Sequence, residues 1–207
     1  AYKDLDKMDI IDVLNNIGNN YSISTDGLAT ALKDSASALV TANNDLNEAV
    51  SLTTAGNAIT QDPSKVGEET DGMITTVSKL RDTIMDATKA ASSDGKGFDI
   101  LDSNGNYKST YEIMQGLADL YDNIVKKDKE LGTNNLNLLL ETIAGKNRSN
   151  IAASILQNRD MLRSVYKDAQ NSEGSAEKEL NFWKHTAIKG VTEDTDKMQF
   201  NTAIARL

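Results

Sequence analysis

The sequence predicts an all-α fold: several short antiparallel helices in a bundle or irregular helical array, with one loop or small hairpin near residues 92–108. Three observations carry this. Apolar residues recur at three- and four-residue spacing in one segment after another. Those segments begin after Ser, Thr or Asp and end near Gly or Asn, the residues that cap helices. The 207 residues contain one Pro, the residue that breaks helix interiors. Hydrophobic residues make up 39% and aromatic residues 5%, so the packing is expected to be thin and built around small side chains.

In chain order, Ile10, Ile11, Val13, Leu14 and Ile17 form the stripe of a first helix from Asp6 to Ile17, which Gly18 is expected to close. Ser24-Thr25-Asp26 offers N-cap oxygens to a second helix carrying Leu28, Leu32, Leu39 and Val40 and ending near Asn43-Asn44. A third holds Leu46, Val50 and Thr53 and runs to about Ile59; its outer positions are Ala, Gly, Thr and Asn, which lets helices approach closely. Asp62-Pro63 is a sharp start signal. The helix it opens is expected to give way at Glu68 to Gly72, with another beginning at Met73, Ile74, Val77, Leu80 and Ile84.

Residues 90–109 do not read as helix. Gly95 and Gly97 loosen the chain, Phe98 to Leu101 suits a short strand, and Ser103-Asn104-Gly105-Asn106 is a tight-turn sequence leading to Tyr107. Ser109 or Thr110 then starts a helix with Tyr111, Met114, Leu117, Tyr121 and Ile124 on one side, closed by Lys126-Lys127-Asp128-Lys129.

The stretch from Leu136 to Tyr166 organises the chain. Leu136, Leu139, Leu140 and Ile143 share a helical face, and Gly145 stands where a left-handed residue would end it. Ser149 is the expected N-cap for Ile151 and Ile155, and Asp160 opens a segment with Met161, Leu162, Val165, Tyr166 and Ala169 on one side. Three such helices on short connections must fold back on one another and against the Tyr111 to Val125 helix. After Gly174 the pattern weakens. Leu180, Trp183 and Ile188 are anchors, Gly190 is a break, and a last short helix holds Met198, Ile204 and Leu207. The organisation read from this is a helical segment at 1–61, a second at 62–91 with a doubtful junction near 67–68, core helices at 92–180, and weakly patterned helices at 181–207. Neither a fixed-period repeat nor a sustained heptad is present, so a coiled coil is not expected.

Around Gly145 the residues also resemble a family. The Ile143-Ala144-Gly145-Lys146 turn with Arg148 and Asn150 beyond it, then Val165-Tyr166-Lys167-Asp168-Ala169 and Asn171 to Ala176, is similar to the core region of phage tail tape measure proteins from Gram-positive hosts. The likeness extends to Asn104-Gly105-Asn106-Tyr107 through Tyr111, to Asp12-Val13-Leu14-Asn15 and to Ser24 through Ala29, covering most of residues 5–185. It implies a structural virion protein that sets tail length, occupies the tube lumen and leaves when DNA is ejected. Its implied partners are tail tube and tail tip or baseplate proteins, tail assembly chaperones and other tape measure copies. The family usually carries an additional amphipathic helix where this chain passes from Gly67 to Glu68.

Charge and composition exclude several alternatives. With 31 acidic against 22 basic residues the formal charge is −9, which opposes sequence-independent nucleic-acid binding. There is no Cys, hence no disulfide or thiolate site. No apolar run approaches the roughly 20 residues that span a bilayer, and no export signal is visible. The chain opens on Ala1 rather than Met and leads directly into a helix, which reads as a piece of a longer protein.

The motifs that could carry chemistry do not fit their templates. Asp99, Asp102, Asn104 and Gly105 resemble part of a calcium loop, but aligning Gly105 with its sixth position puts Ile100 first and Tyr111 last, where oxygen ligands are required. Gly145-Lys146 lacks the first Gly and the Ser or Thr of a phosphate loop. His185 is the single histidine, beside Trp183 and Lys184 on an amphipathic segment. No catalytic, cofactor or metal residue is therefore assigned. Gly145, Lys146, Arg148, Asn150, Asn104 and Gly105 are read as structural motif residues, with Arg148 bonding helix-terminal carbonyls. The competing reading is a soluble helical interaction module, an adaptor or effector domain without catalysis.

Overall fold

The computed structural model describes residues 2, 4–77, 80–145 and 149–196. Among them are ten α-helices, one 3₁₀ turn and no strand. The helices are α1 (Lys7–Asn20), α2 (Thr25–Thr41), α3 (Leu46–Thr60), α4 (Pro63–Val77), α5 (Arg81–Thr88), α6 (Thr110–Leu131), α7 (Asn135–Ala144), α8 (Ser149–Gln157), α9 (Arg159–Gln170) and α10 (Ser175–Asp196). The all-α array expected from the sequence is the observed fold.

Helix α3 is the centre. Ten of its residues, from Leu46 to Asn57, are buried, and it packs against α9, α8, α4, α2, α6 and α1. Its small residues are what allow this, because a helix buried all round cannot present long side chains on every face. Helices α7 to α9 fold back on α6 as expected, yet α8 and α9 pack still more extensively on α3. The core faces hold where the pattern was regular. Leu139, Leu140 and Ile143 are buried in α7, and Leu162, Val165 and Ala169 in α9. In α6, Tyr111, Met114, Leu117 and Ile124 are buried, and Tyr111 stacks on Tyr166 of α9 with ring centres 4.8 Å apart.

Three local readings are corrected. Gly18 does not close α1, which continues to Asn20. A Cβ there would lie 2.4 Å from Thr25 Oγ1 and 2.6 Å from Thr25 N, so its role is close approach of the α2 start. Helix α4 does not give way near Gly67. It runs unbroken from Pro63 to Val77, and α5 is separate from it. Gly67 is held against the α2 backbone, where a Cβ would sit 2.5 Å from the Ala31 carbonyl oxygen. Packing on α2, the most extensive helix pair in the fold, outweighs the weak propensity of Gly. Gly190 likewise does not break the C-terminal segment, since α10 runs through it as one helix. The last helix expected around Met198, Ile204 and Leu207 lies outside the described residues.

Between α5 and α6 a 3₁₀ turn at Lys89–Ala91 leads into the expected small hairpin, reduced to one antiparallel bridge between Leu101 and Tyr107. Gly116 of α6 receives the ring of Phe98, which a Cβ would meet at 2.1 Å.

Candidate interaction surfaces

The motif residues that are described fall at the hairpin tip, the end of α7 and the start of α8. Asn104 and Gly105 form the hairpin tip. The Asp102 carboxylate accepts from the Asn104 and Asn106 amides, each at 2.8 Å, and Gly105 has φ +81°, the left-handed conformation a tight turn requires. Those amides, the Asn106 one first, hold the Asp102 carboxyl below its usual range. Asp99 is held by the Arg81 guanidinium and also accepts from the Leu101 amide, which pulls its pKa down to about 2. Both carboxylates of the discarded calcium motif are thus engaged by donors of the chain itself.

Gly145 ends α7 with φ +76°, its amide donating to the Glu141 carbonyl at 2.9 Å. Asn150 is an exposed residue of the first turn of α8. Lys146 and Arg148 lie outside the described residues. Among the described residues no group of three or more His, Cys, Asp or Glu is placed to hold a metal ion, and no helix is long and apolar enough to cross a membrane.

Sequence reasoning missed the polar junctions that fix the helices. Asp45 and Ser109 each cap a helix in a full capping box, with Glu48 and Glu112 as the reciprocal acceptors. The two boxes interlock, because the Ser109 hydroxyl donates to Glu48 Oε1 at 2.9 Å. Burial raises the Glu48 pKa, against the lowering effect of its bonds from the Asp45 amide and Ser109 hydroxyl. The Asp128 carboxylate gathers the Thr133 hydroxyl and the Asn135 and Leu136 amides, turning the chain from α6 into α7. Capping-box spacing at Asp45-x-x-Glu48 and Ser109-x-x-Glu112 was visible in the sequence; which box would meet which was not.

Two surface features among the described residues bear on partners. The first is a groove of about 570 Å³ at one end of the bundle, where the α1 start, the α2–α3 connection and the α9–α10 connection meet. Its floor is apolar, with Val13, Leu46 and Ala169 buried and Leu5 and Val40 partly open. Asp4, Asp9, Asp45 and Glu173 stand exposed around it, and no Lys or Arg is among its described lining residues. Val40, expected in the core, is instead 38% exposed at this rim.

The second is α10. Its root is fixed by Asp12, which is 6% exposed and accepts from the Gly174 amide at 2.8 Å and the Ala176 amide at 2.9 Å. Asn19 donates to Glu179 at 3.0 Å. Beyond that Leu180 is 53%, Phe182 63%, Trp183 59% and Ile188 64% exposed, whereas Gly190 is buried. His185 is an exposed position of this arm.

Fold and surfaces together define an all-α module that presents an acidic groove and a projecting helical arm. Residues 2–155, about three quarters of the chain, match the family described as phage-related minor tail protein. The chain belongs to that family and is a phage tail protein. It also shows short likenesses to leucine–tRNA ligases. That of Clostridium beijerinckii (strain ATCC 51743 / NCIMB 8052) is 64% identical over 53 residues, 26% of this chain and 6% of the ligase. That of Clostridium perfringens (strain SM101 / Type A) is 53% identical over 51 residues, 23% of this chain and 6% of the ligase. The chain therefore spans only a small fraction of the curated relatives it matches. No solved structure matches it.

Proposed function

We propose that this chain is a segment of a tail tape measure protein of a phage or prophage of a Gram-positive host. In that role it sets tail length during assembly and occupies the tail tube lumen until DNA is ejected. Tail tube and tail tip or baseplate proteins, tail assembly chaperones and other tape measure copies are its partners, met first in the host cytoplasm and then in the virion. The role is structural, without catalysis or cofactor. The observation that carries this reading is the family match over residues 2–155, which takes in the central helix α3 and its neighbours α1, α2, α4 and α6. An all-α, cysteine-free chain with one Pro suits a part that must be threaded through a tube.

In-frame deletion of residues 109–171 in the parent phage, with tails measured by electron microscopy, tests it. Tails shortened by up to ~1.5 Å per deleted residue are expected if the region is counted by the ruler. Normal length, assembly and infectivity together would refute the reading. Thermal melts with and without calcium, magnesium or zinc are expected to coincide, since a site favouring the folded state would raise the midpoint. A rise of several degrees with calcium would return attention to Asp99 and Asp102.

A further inference from the structure

We propose that the α10 arm of one copy docks into the acidic groove of a second copy, joining chains head to tail. The two surfaces are complementary in chemistry. In a chain of net charge −9, the thirteen residues from Leu180 to Thr192 contain no carboxylate, two lysines and the single histidine. Leu180, Lys184 and Ile188 form an i, i+4 row, with Trp183 and Ala187 beside it, so a cation is flanked by apolar groups on one face. The groove offers the counterpart, an apolar floor under Leu5 and Val40 ringed by Asp4, Asp9 and Glu173. Its volume of about 570 Å³ lies in the range of pockets that enclose a ligand, enough for large side chains of a partner.

Geometry directs the arm to another copy. The α10 root lies at Asp12, and Glu179 reaches Asn19, so the helix runs toward the C-terminal end of α1. The groove lies behind that root, lined by Tyr2 to Val13 at the start of α1 and by Ala169 to Glu173 just before α10, so the helix leaves it as it runs. A straight helix fixed in this direction cannot return to the groove of its own chain. It carries Leu180, Lys184 and Ile188 exposed to solvent, an apolar cost that a partner would relieve. Because arm and groove are different surfaces, the contact is heterologous, and repetition builds an open chain or a ring.

Sedimentation velocity of the 207-residue chain over a range of concentrations tests this, in low salt and in molar salt, where the Debye length falls to about 3 Å. Assembly beyond dimer is expected in low salt and its loss in molar salt. An arm variant, Trp183→Ala with Lys184→Glu, and a groove variant, Asp4→Lys with Glu173→Lys, are each expected to remain monomeric. All four positions are exposed, and unchanged circular dichroism verifies the fold; Lys184→Glu alone serves as a milder arm variant. Mixed one to one, the two variants are expected to form dimers and nothing larger, since one retains a groove and the other an arm. A wild-type chain that stays monomeric in low salt would overturn the proposal. So would a groove variant that assembles like wild type, which would indicate arm-to-arm pairing, or a mixture that yields no dimer.

Discussion

At the residue scale, a few side chains set how stability answers to mutation and to pH. Leu139 is fully buried in α7, and Leu139→Ala is expected to cost about 2–5 kcal/mol, read as a lowered urea midpoint. Two carboxylates act in opposite directions on acidification. The Asp99 pKa is depressed to about 2 by Arg81, so its contribution is present above the unfolded value of about 3.9 and fades as pH falls toward 2. Glu48 is raised by burial, so the fold disfavours its charged form. Its contribution is present below the unfolded value of about 4.3 and is lost as pH rises through the raised folded value. Glu48→Gln removes that ionisation. The stability of the variant relative to wild type is therefore expected to increase between pH 4 and pH 7, measured by urea unfolding at each pH. A constant difference would mean that Glu48 titrates alike in the folded and unfolded chain. Neither shift was legible in a bare list of acids, because Glu48 is raised by its burial and Asp99 lowered by Arg81, 18 residues away in sequence.

At the element scale, the sequence was read correctly where one helix has one apolar face and misread where a glycine serves packing. Asp62-Pro63 opens α4 and Gly145 ends α7 in positive φ, though with ψ 158° in place of the left-handed helical value, while α6 runs past Lys129 to Leu131 and is closed by the left-handed Gly132. Gly18, Gly67 and Gly190 instead lie inside helices. For Gly18 and Gly67 the controlling fact is a neighbouring backbone, which no local pattern announces. Gly67→Ala separates the two roles. Helix propensity alone favours Ala by about 1 kcal/mol. The new methyl would press on the Ala31 carbonyl, which cannot swing aside, and overpacking of this kind costs about 1–3 kcal/mol. A net loss in thermal midpoint is expected; a gain would show that α2 and α4 can move apart freely. Asp12→Ala acts on another element. Leaving the Gly174 and Ala176 amides without their acceptor is expected to cost about 1–3 kcal/mol. It should also expose the α9–α10 connection to limited proteolysis ahead of the rest of the chain.

At the scale of the whole molecule, the readable part was the set of faces, and the unreadable part was their order around the centre. The stretch from Leu136 to Tyr166 has the strongest apolar pattern, yet the hub is α3, whose Ala, Ser, Thr and Gly residues give a weak one. Small residues permit burial on all sides and by the same token leave little periodic signal. The arm was obscured for the opposite reason: its apolar residues, Leu180, Trp183 and Ile188, do not point into the core. Stability should therefore be graded from centre to arm, since opening free energies within one fold range from near zero to the global value. Hydrogen exchange at low protein concentration is expected to find the amides of Ala49 to Ala55 slowest, opening only with global unfolding. The amides of Trp183 to Ile188, in the stretch of α10 where most side chains are exposed, should exchange fastest among the helical ones. Repeating the measurement at high concentration in low salt separates two causes of any protection in α10. Protection that grows with concentration comes from contact between copies, whereas protection independent of concentration belongs to the isolated chain and would mean that the arm is more firmly packed than its exposure indicates.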